Sequence, residues 1–296
     1  MAFPYLSEIE ELNEGTRSRA GSGAFVQLTN GVTHYELDGP ERGQPVVLVH
    51  GFSVPYFIYD PTFSFLAQAG FRVLRYDLFG RGFSDRPRVK YDIHLFVRQL
   101  ADLFDALQFG PVNLAGLSMG GPIAAAFTVR YPERVTKLVF IDPAGAKPVD
   151  LSLTLKIAKL PLVGDLLLGL FGSGNMVKSA ASDFFDPKLV REFQSRYAVQ
   201  MKYKGFMRAI LSTIRNGMLD SFYETYQRLG KLQKPTLLVW GKNDTTVPFA
   251  HSDDIRAAMP HAEFHAVEDC GHIPHYEKPE IFNPILEKFL RKCSTN

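Results

Sequence analysis

The stretch Gly116-Leu117-Ser118-Met119-Gly120 narrows the possible folds of this chain more than any other, because it sets a serine on a sharp turn between a strand and a helix. Before it, Val112-Asn113-Leu114-Ala115 is a short apolar run of strand character. After it, Ile123 to Val129 is an alanine-rich helical segment ending near Tyr131-Pro132. A strand that passes directly into a helix forces the intervening serine into a strained backbone conformation. Small residues two before and two after it let strand and helix approach without a Cβ clash, and Gly116 and Gly120 are those residues. Pro122 falls in the first helical turn, where its missing N–H has no intrahelical partner to lose. The helix N-terminus also brings N–H groups and a positive dipole end beside Ser118, a setting suited to an oxygen that becomes negative during reaction. A chance G-x-S-x-G in an ordinary turn would lack this flanking strand and helix, so the context carries the information.

The rest of the chain supplies a sheet for that turn. Phe25–Leu28 and Val32–Leu37 flank Thr29-Asn30-Gly31, an Asn-Gly signal for an opening hairpin. Pro45 to Val49 is a continuous apolar strand of the kind buried on both faces, and a further strand is expected from Phe71 to Tyr76. Leu95, Phe96, Leu100, Leu103, Phe104 and Leu107 recur at helical spacing over Ile93 to Leu107. Strand character returns at Leu138 to Ile141, Thr236 to Trp240 and Glu263 to Val267, with helices expected over Ala250 to Ala258 and Pro279 to Leu290. Strands alternating with helices imply a mostly parallel sheet covered on both faces, an α/β class. Between Lys147 and Leu229 the alternation stops and apolar residues follow mixed helical spacing, as at Leu166 to Leu170, Val190 to Tyr197 and Phe206 to Ile214. This segment reads as a helical insertion, with Gly172-Ser173-Gly174 as a loop that lacks the third glycine and preceding strand of a dinucleotide fingerprint. The expected organisation is therefore a core of residues 1–146 and 230–296 and a cap of residues 147–229 whose underside forms one wall of a cavity.

Composition excludes several classes. With 33 basic and 31 acidic residues spread over 296 positions, the net charge of +2 contains no basic block of the kind nucleic acid requires. The longest apolar stretch, Leu151 to Phe171, is interrupted by Lys156, Lys159, Pro161 and Asp165, so no stable membrane insertion is expected. The acidic start, with Glu8, Glu10, Glu11 and Glu14, lacks a signal-peptide layout, and the two cysteines, Cys270 and Cys293, have no metal-ligand spacing. The expectation is a cytoplasmic protein in a reducing compartment, in which a bridge between those cysteines is not needed.

A serine hydroxyl is a weak nucleophile at neutral pH and needs a base, itself held by a third group; histidine is the usual base. In an open parallel sheet such groups gather in loops at the carboxyl ends of strands. Ser118, Asp244 after the Trp240 strand and His272 after the last strand occupy such loops, in the order nucleophile, acid, base. His50-Gly51-Phe52-Ser53, Asp77 to Asp85, the serine turn, Gly241 to Pro248 and Gly271-His272-Ile273-Pro274 with Glu277-Lys278-Pro279 complete a pattern that covers nearly the whole chain from about Phe25. In these residues the chain resembles the serine α/β-hydrolases of the capped esterase, lipase and C–C-bond hydrolase type.

The resemblance implies an eight-stranded, mostly parallel sheet with a helical cap. It implies that Ser118 attacks a carbonyl, that His272 takes and returns the proton, and that Asp244 orients His272. The backbone N–H groups of Phe52 and Met119 would form the oxyanion hole, with no cofactor and no metal required. Asp142 is an alternative acid, since relatives of this fold can place it after the neighbouring strand, and His275 is a rival base without a preceding glycine. Asp77, Arg81, Ser84 and Asp85 read as turn residues, and His50 as a residue that shapes the loop aiming Phe52. The expected substrate is a small apolar ester of short or medium acyl chain, or a lactone; no oligomeric state follows. C–C cleavage of a diketone-like substrate uses the same three residues, but relatives with that activity usually carry a tryptophan where Ile273 stands. Dehalogenase and epoxide hydrolase chemistry would need an aspartate at position 118. A receptor or scaffold that keeps the fold with little turnover is the reading from another class.

Overall fold

The computed structural model describes residues 5–20, 22–149, 159–160 and 163–292, excepting the side chains of 20 and 167–173. Eight strands form one sheet in the order β1-β2-β4-β3-β5-β6-β7-β8. They are β1 (Ala24–Leu28), β2 (Gly31–Asp38), β3 (Pro45–Val49), β4 (Arg72–Tyr76), β5 (Val112–Leu117), β6 (Val135–Ile141), β7 (Thr236–Gly241) and β8 (Glu263–Val267). The opening hairpin β1–β2 pairs antiparallel, as does β2 with β4, and every pairing from β4 to β8 is parallel. Each strand agrees with its sequence signal to within two residues at its ends, except β6, which begins three residues before Leu138. Parallel strands need crossovers, and helices Asp60–Gln68, Ile93–Ala106, Gly120–Arg130 and His251–Ala258 provide them. The first of these has no counterpart in the sequence reading. Its run Asp60-Pro61-Thr62-Phe63 lacks a long periodic pattern, yet Pro61 suits its first turn.

Side chains alternate between two cores because successive strand residues face opposite ways. Val46, Leu48, Ala115, Val139 and Leu237 pack with Phe63, Leu66, Phe282 and Leu286 on one face. Val47, Val49, Leu114, Leu138 and Leu238 pack with Phe96, Leu100, Phe104 and Phe127 on the other. All these residues are buried, so the central strands are mainly apolar on both faces, as a sheet covered on both sides demands.

Between β6 and β7 the described chain is helical: Val163–Ser179, Val190–Ala198, Phe206–Arg215 and Tyr223–Gly230. Gly172-Ser173-Gly174, read from sequence as a loop, lies inside the first of these helices. Glycine weakens a helix by only about 1 kcal/mol, and the leucine-rich turn before it and Met176-Val177 after it carry the helix across. Part of the Leu151 to Phe171 stretch, residues 151–158 and 161–162, lies outside the described residues, as does Cys293 and hence any bridge to Cys270. No helix among the described residues is long and apolar enough to cross a membrane.

Candidate active site

The serine turn has the strain its sequence requires. Ser118 adopts φ of +51°, a left-handed conformation costing a non-glycine residue about 1–3 kcal/mol, retained where surrounding contacts over-determine it. Its N–H donates to the Ile141 carbonyl at 2.9 Å, and its own carbonyl accepts from Gly121 at 2.8 Å and Ala144 at 3.0 Å. The flanking glycines are steric necessities: a Cβ at Gly116 would lie 2.3 Å from the Gly120 carbonyl oxygen, and one at Gly120 would lie 2.3 Å from that of Val49. β5 and helix Gly120–Arg130 thus cross with backbone almost touching backbone.

The loop after β7 carries Asp244, whose Oδ1 accepts from the N–H groups of Thr246 (2.8 Å) and Val247 (2.9 Å). Its Oδ2 receives His272 Nδ1–H at 2.7 Å. An ionised carboxylate can only accept, so the ring proton sits on Nδ1 and Nε2 keeps a free lone pair. Burial alone would push the His272 pKa down, but the Asp244 charge and hydrogen bond, with help from Asp183, raise it above the ordinary histidine value. Ser118 and His272 line one cavity of about 550 Å³, walled by apolar residues such as Phe52, Leu117, Met176, Ile210, Leu219 and Ile273. Phe52 and Met119 line it as well. A nucleophilic oxygen, a neutral imidazole nitrogen and a carboxylate behind that imidazole are the parts required to pass a proton while an acyl group transfers.

The sequence-level competitors lie elsewhere or in another state. His275 is fully buried away from that cavity, against Tyr59 and Phe282, with neither ring nitrogen hydrogen-bonded; burial and then nearby His272 push its pKa down to about 3. Asp142 is also fully buried; its Oδ1 accepts from Gly241 N–H at 2.9 Å and its Oδ2 has no partner. Burial first, and then the Asp244 charge, drive the Asp142 carboxyl well above the usual carboxylate range. Burial and a neighbouring carboxylate both favour the neutral form of Asp142. Asp142, Asp244 and His272 place ligand atoms within 4.8 Å of one another, a spacing compatible with a metal ion. Their donor set is already engaged, however: Asp244 accepts three N–H bonds and burial favours the neutral form of Asp142, which suits proton transfer better than coordination.

Several positioning residues had no legible signal in the sequence. Arg81, read as a turn residue, is fully buried. Its Nε donates to the Phe52 carbonyl at 2.8 Å, while its Nη atoms donate to the Phe79 carbonyl at 3.1 Å and Thr213 Oγ1 at 2.9 Å. Gln200 spans the same gap, donating to the Ser53 carbonyl at 2.8 Å and accepting from Gly82 N–H at 2.9 Å. Two side chains therefore fix the peptides around Phe52 to the helices between β6 and β7. His50 does shape that loop: its Nδ1 donates to the Gly51 carbonyl, and its Nε2 accepts from Leu78 N–H, both at 2.9 Å. On the opposite side, Glu277 collects the N–H groups of Phe185 (2.7 Å), Asp186 (2.6 Å) and Gly271 (2.7 Å), and His272 N–H donates to the Asp183 carbonyl at 2.8 Å. The histidine loop is thereby clasped to segment 183–186.

A family model described as alpha/beta hydrolase fold matches residues 44–279. The chain is 30% identical over 294 residues to the 2-hydroxy-6-oxo-6-phenylhexa-2,4-dienoate hydrolase of Burkholderia cepacia, covering 95% of this chain and 98% of that protein. Among solved structures it is similar to a meta-cleavage product hydrolase from Pseudomonas fluorescens, with a TM-score of 0.73, 26% identity, and coverage of 90% of this chain and 97% of that one. It is likewise similar to a carboxylesterase from Bacillus subtilis, with a TM-score of 0.76, 25% identity and 91% of each chain covered.

Proposed function

The chain belongs to the α/β-hydrolase family, and from that premise we propose that it hydrolyses small, apolar carboxylic esters, lactones included, through an acyl-enzyme. The observation that carries this reading is the opening of Ser118 and His272 onto one apolar cavity, with Asp244 bonded to the far side of the imidazole. Ser118 Oγ attacks the ester carbonyl as His272 Nε2 takes its proton; the C–O bond to the alcohol then breaks and His272 returns that proton to the leaving alkoxide. Water, deprotonated by the same imidazole, releases the acid and restores the serine. Asp244 stabilises the imidazolium of each step. The N–H groups of Phe52 and Met119 receive the negative oxygen; the His50 bond to the Gly51 carbonyl holds the peptide that carries the Phe52 N–H, and the Arg81 bond to the Phe52 carbonyl holds the peptide after it. In this reading residues 1–146 and 230–296 are the catalytic core, and residues 147–229 are the lid whose underside contributes Met176, Tyr197 and Ile210 to the cavity.

The full-length relative from Burkholderia cepacia supports a second reading, C–C cleavage by the same three residues. Two features favour the ester. Ile273 follows His272, and no lysine or arginine lines the cavity among the described residues, whereas a dienoate brings a carboxylate that would enter unpaired. A fluorophosphonate probe tests the mechanism: labelling at Ser118, lost together with p-nitrophenyl ester turnover in Ser118→Ala, is expected. A folded wild-type protein that does not label overturns it and leaves a binding member of the fold. A panel of esters, lactones and vinylogous diketones separates the two chemistries.

A further inference from the structure

Among the described residues that line it, the cavity carries one ionisable acid besides His272. Asp183 lines it, half-buried, from segment 183–186 that clasps the histidine loop. Its Oδ1 accepts from Thr246 Oγ1 at 2.7 Å, while its Oδ2 has no hydrogen-bond partner among the described residues. The Asp183 carbonyl receives the His272 N–H at 2.8 Å, and the Asp183 charge helps to raise the His272 pKa, so this acid stands on the imidazole's side of the cavity. In the proposed reaction that imidazole hands its proton to the departing alcohol, so the alcohol portion of an ester is the part that approaches Asp183. Among the described residues, no lysine or arginine lines the cavity to offset this acid. A low-dielectric pocket with one acid and no fixed cation penalises a ligand anion and attracts a ligand cation.

We propose that Asp183 sorts substrates by charge: the site accepts esters whose alcohol portion is neutral or bears an ammonium group, and rejects those whose alcohol portion bears a carboxylate. This rests on the ester-hydrolase reading above and adds the substrate class to it. The test uses three acetates of similar reach, those of 3,3-dimethylbutanol (neutral), choline (cationic) and 4-hydroxybutyrate (anionic), with acetate release followed by pH-stat. Wild type is expected to show a kcat/KM for the anionic ester at least about tenfold below the neutral one, with the cationic ester equal to or above it. Asp183→Asn keeps an acceptor for Thr246 and removes the charge. It is expected to raise the anionic-to-neutral ratio and lower the cationic-to-neutral ratio, each by about fivefold or more. Equal wild-type rates on the anionic and neutral acetates overturn the inference without recourse to any variant, as do ratios unchanged in Asp183→Asn. If the neutral acetate is not cleaved and Ser118 does not take the fluorophosphonate, the ester reading falls and this inference with it; if the neutral acetate is cleaved, only the charge filter is at stake.

Discussion

Replacing Gly271 with alanine perturbs the clasp between the histidine loop and segment 183–186 without touching a reacting group. The backbone at 271 is not left-handed, so alanine meets no conformational objection there. Its Cβ, however, would lie 2.4 Å from the Asp183 carbonyl oxygen and 3.0 Å from both Asp183 C and Phe185 N, where ordinary contact begins at 3.4 Å. The worst overlap is therefore 3.4 − 2.4 = 1.0 Å, and the obstructing atoms are backbone. The loop has no room to retreat, since on its other side a Cβ at Gly241 would already lie 1.9 Å from the Gly271 carbonyl oxygen. Something must move by about that distance, and the His272 N–H to Asp183 carbonyl bond is the first to break. Overpacking of this kind costs about 1–3 kcal/mol and the lost bond about 0.5–1.5 kcal/mol, or about 2–4 kcal/mol together. For a domain of this size that lowers the melting temperature by about 3–6 °C. Because His272 sits on the displaced loop, a shift of about 1 Å is also expected to lower kcat by about 100-fold on a neutral acetate. Calorimetry and steady-state kinetics on the same preparation measure both. A Gly271→Ala protein that matches wild type in melting temperature and kcat refutes the claim that this close approach sets the imidazole.

Four further outcomes follow from the same geometry. Asp244→Asn is expected to lower kcat by about 10⁴-fold, whereas Asp142→Asn, which replaces a group whose neutral form burial favours and keeps an acceptor for Gly241 N–H, should stay within about threefold of wild type; the reverse ranking would make Asp142 the working acid. Because the base must be neutral, kcat/KM should rise with pH through a His272 pKa above the ordinary 6.5, and in Asp244→Asn this limb should move to lower pH, where burial alone would put it. Burial lowers the pKa of His50 to about 4 and that of His275 to about 3, below their unfolded values; the stability they contribute is present above pH 6.5 and is lost on acidification towards those values. Urea midpoints should accordingly fall as pH drops from 6.5 to 4, by up to about 1.4 kcal/mol per pH unit for each histidine, while His34, whose pKa Asp77 raises against the effect of burial, loses its contribution only on the alkaline side. Glu277→Gln offers one carbonyl oxygen where the carboxylate offered two, leaving either Gly271 N–H or the Phe185 and Asp186 pair unpaired; a destabilisation of about 1–3 kcal/mol, read by urea titration, is expected.

What could be read along the chain was whatever neighbouring residues encode. The apolar runs that became β3, β5, β6 and β7, the glycines on either side of Ser118, and the Asn-Gly turn between β1 and β2 all act over a few positions, and the structure places each as its local pattern requires. The loops bearing Asp244 and His272 were legible for the same reason, since each follows a recognisable strand of a parallel sheet. The contacts that aim those loops had no such signature. Arg81 reaches Thr213 across 132 residues, Gln200 reaches Gly82 across 118, and Glu277 reaches Phe185 across 92. An arginine in a glycine-rich turn looks alike in sequence whether it faces water or threads between a loop and a helix from a distant segment. The same holds for Asp183, an ordinary acid among surface-like neighbours until folding sets it beside the imidazole, and for Asp142, whose pKa is driven up by burial first and then by a carboxylate 102 residues further along the chain. Side chains that hydrogen-bond or repel across such separations are brought together only by the packed sheet and its overlying helices, because burial and electrostatic coupling depend on distance in space.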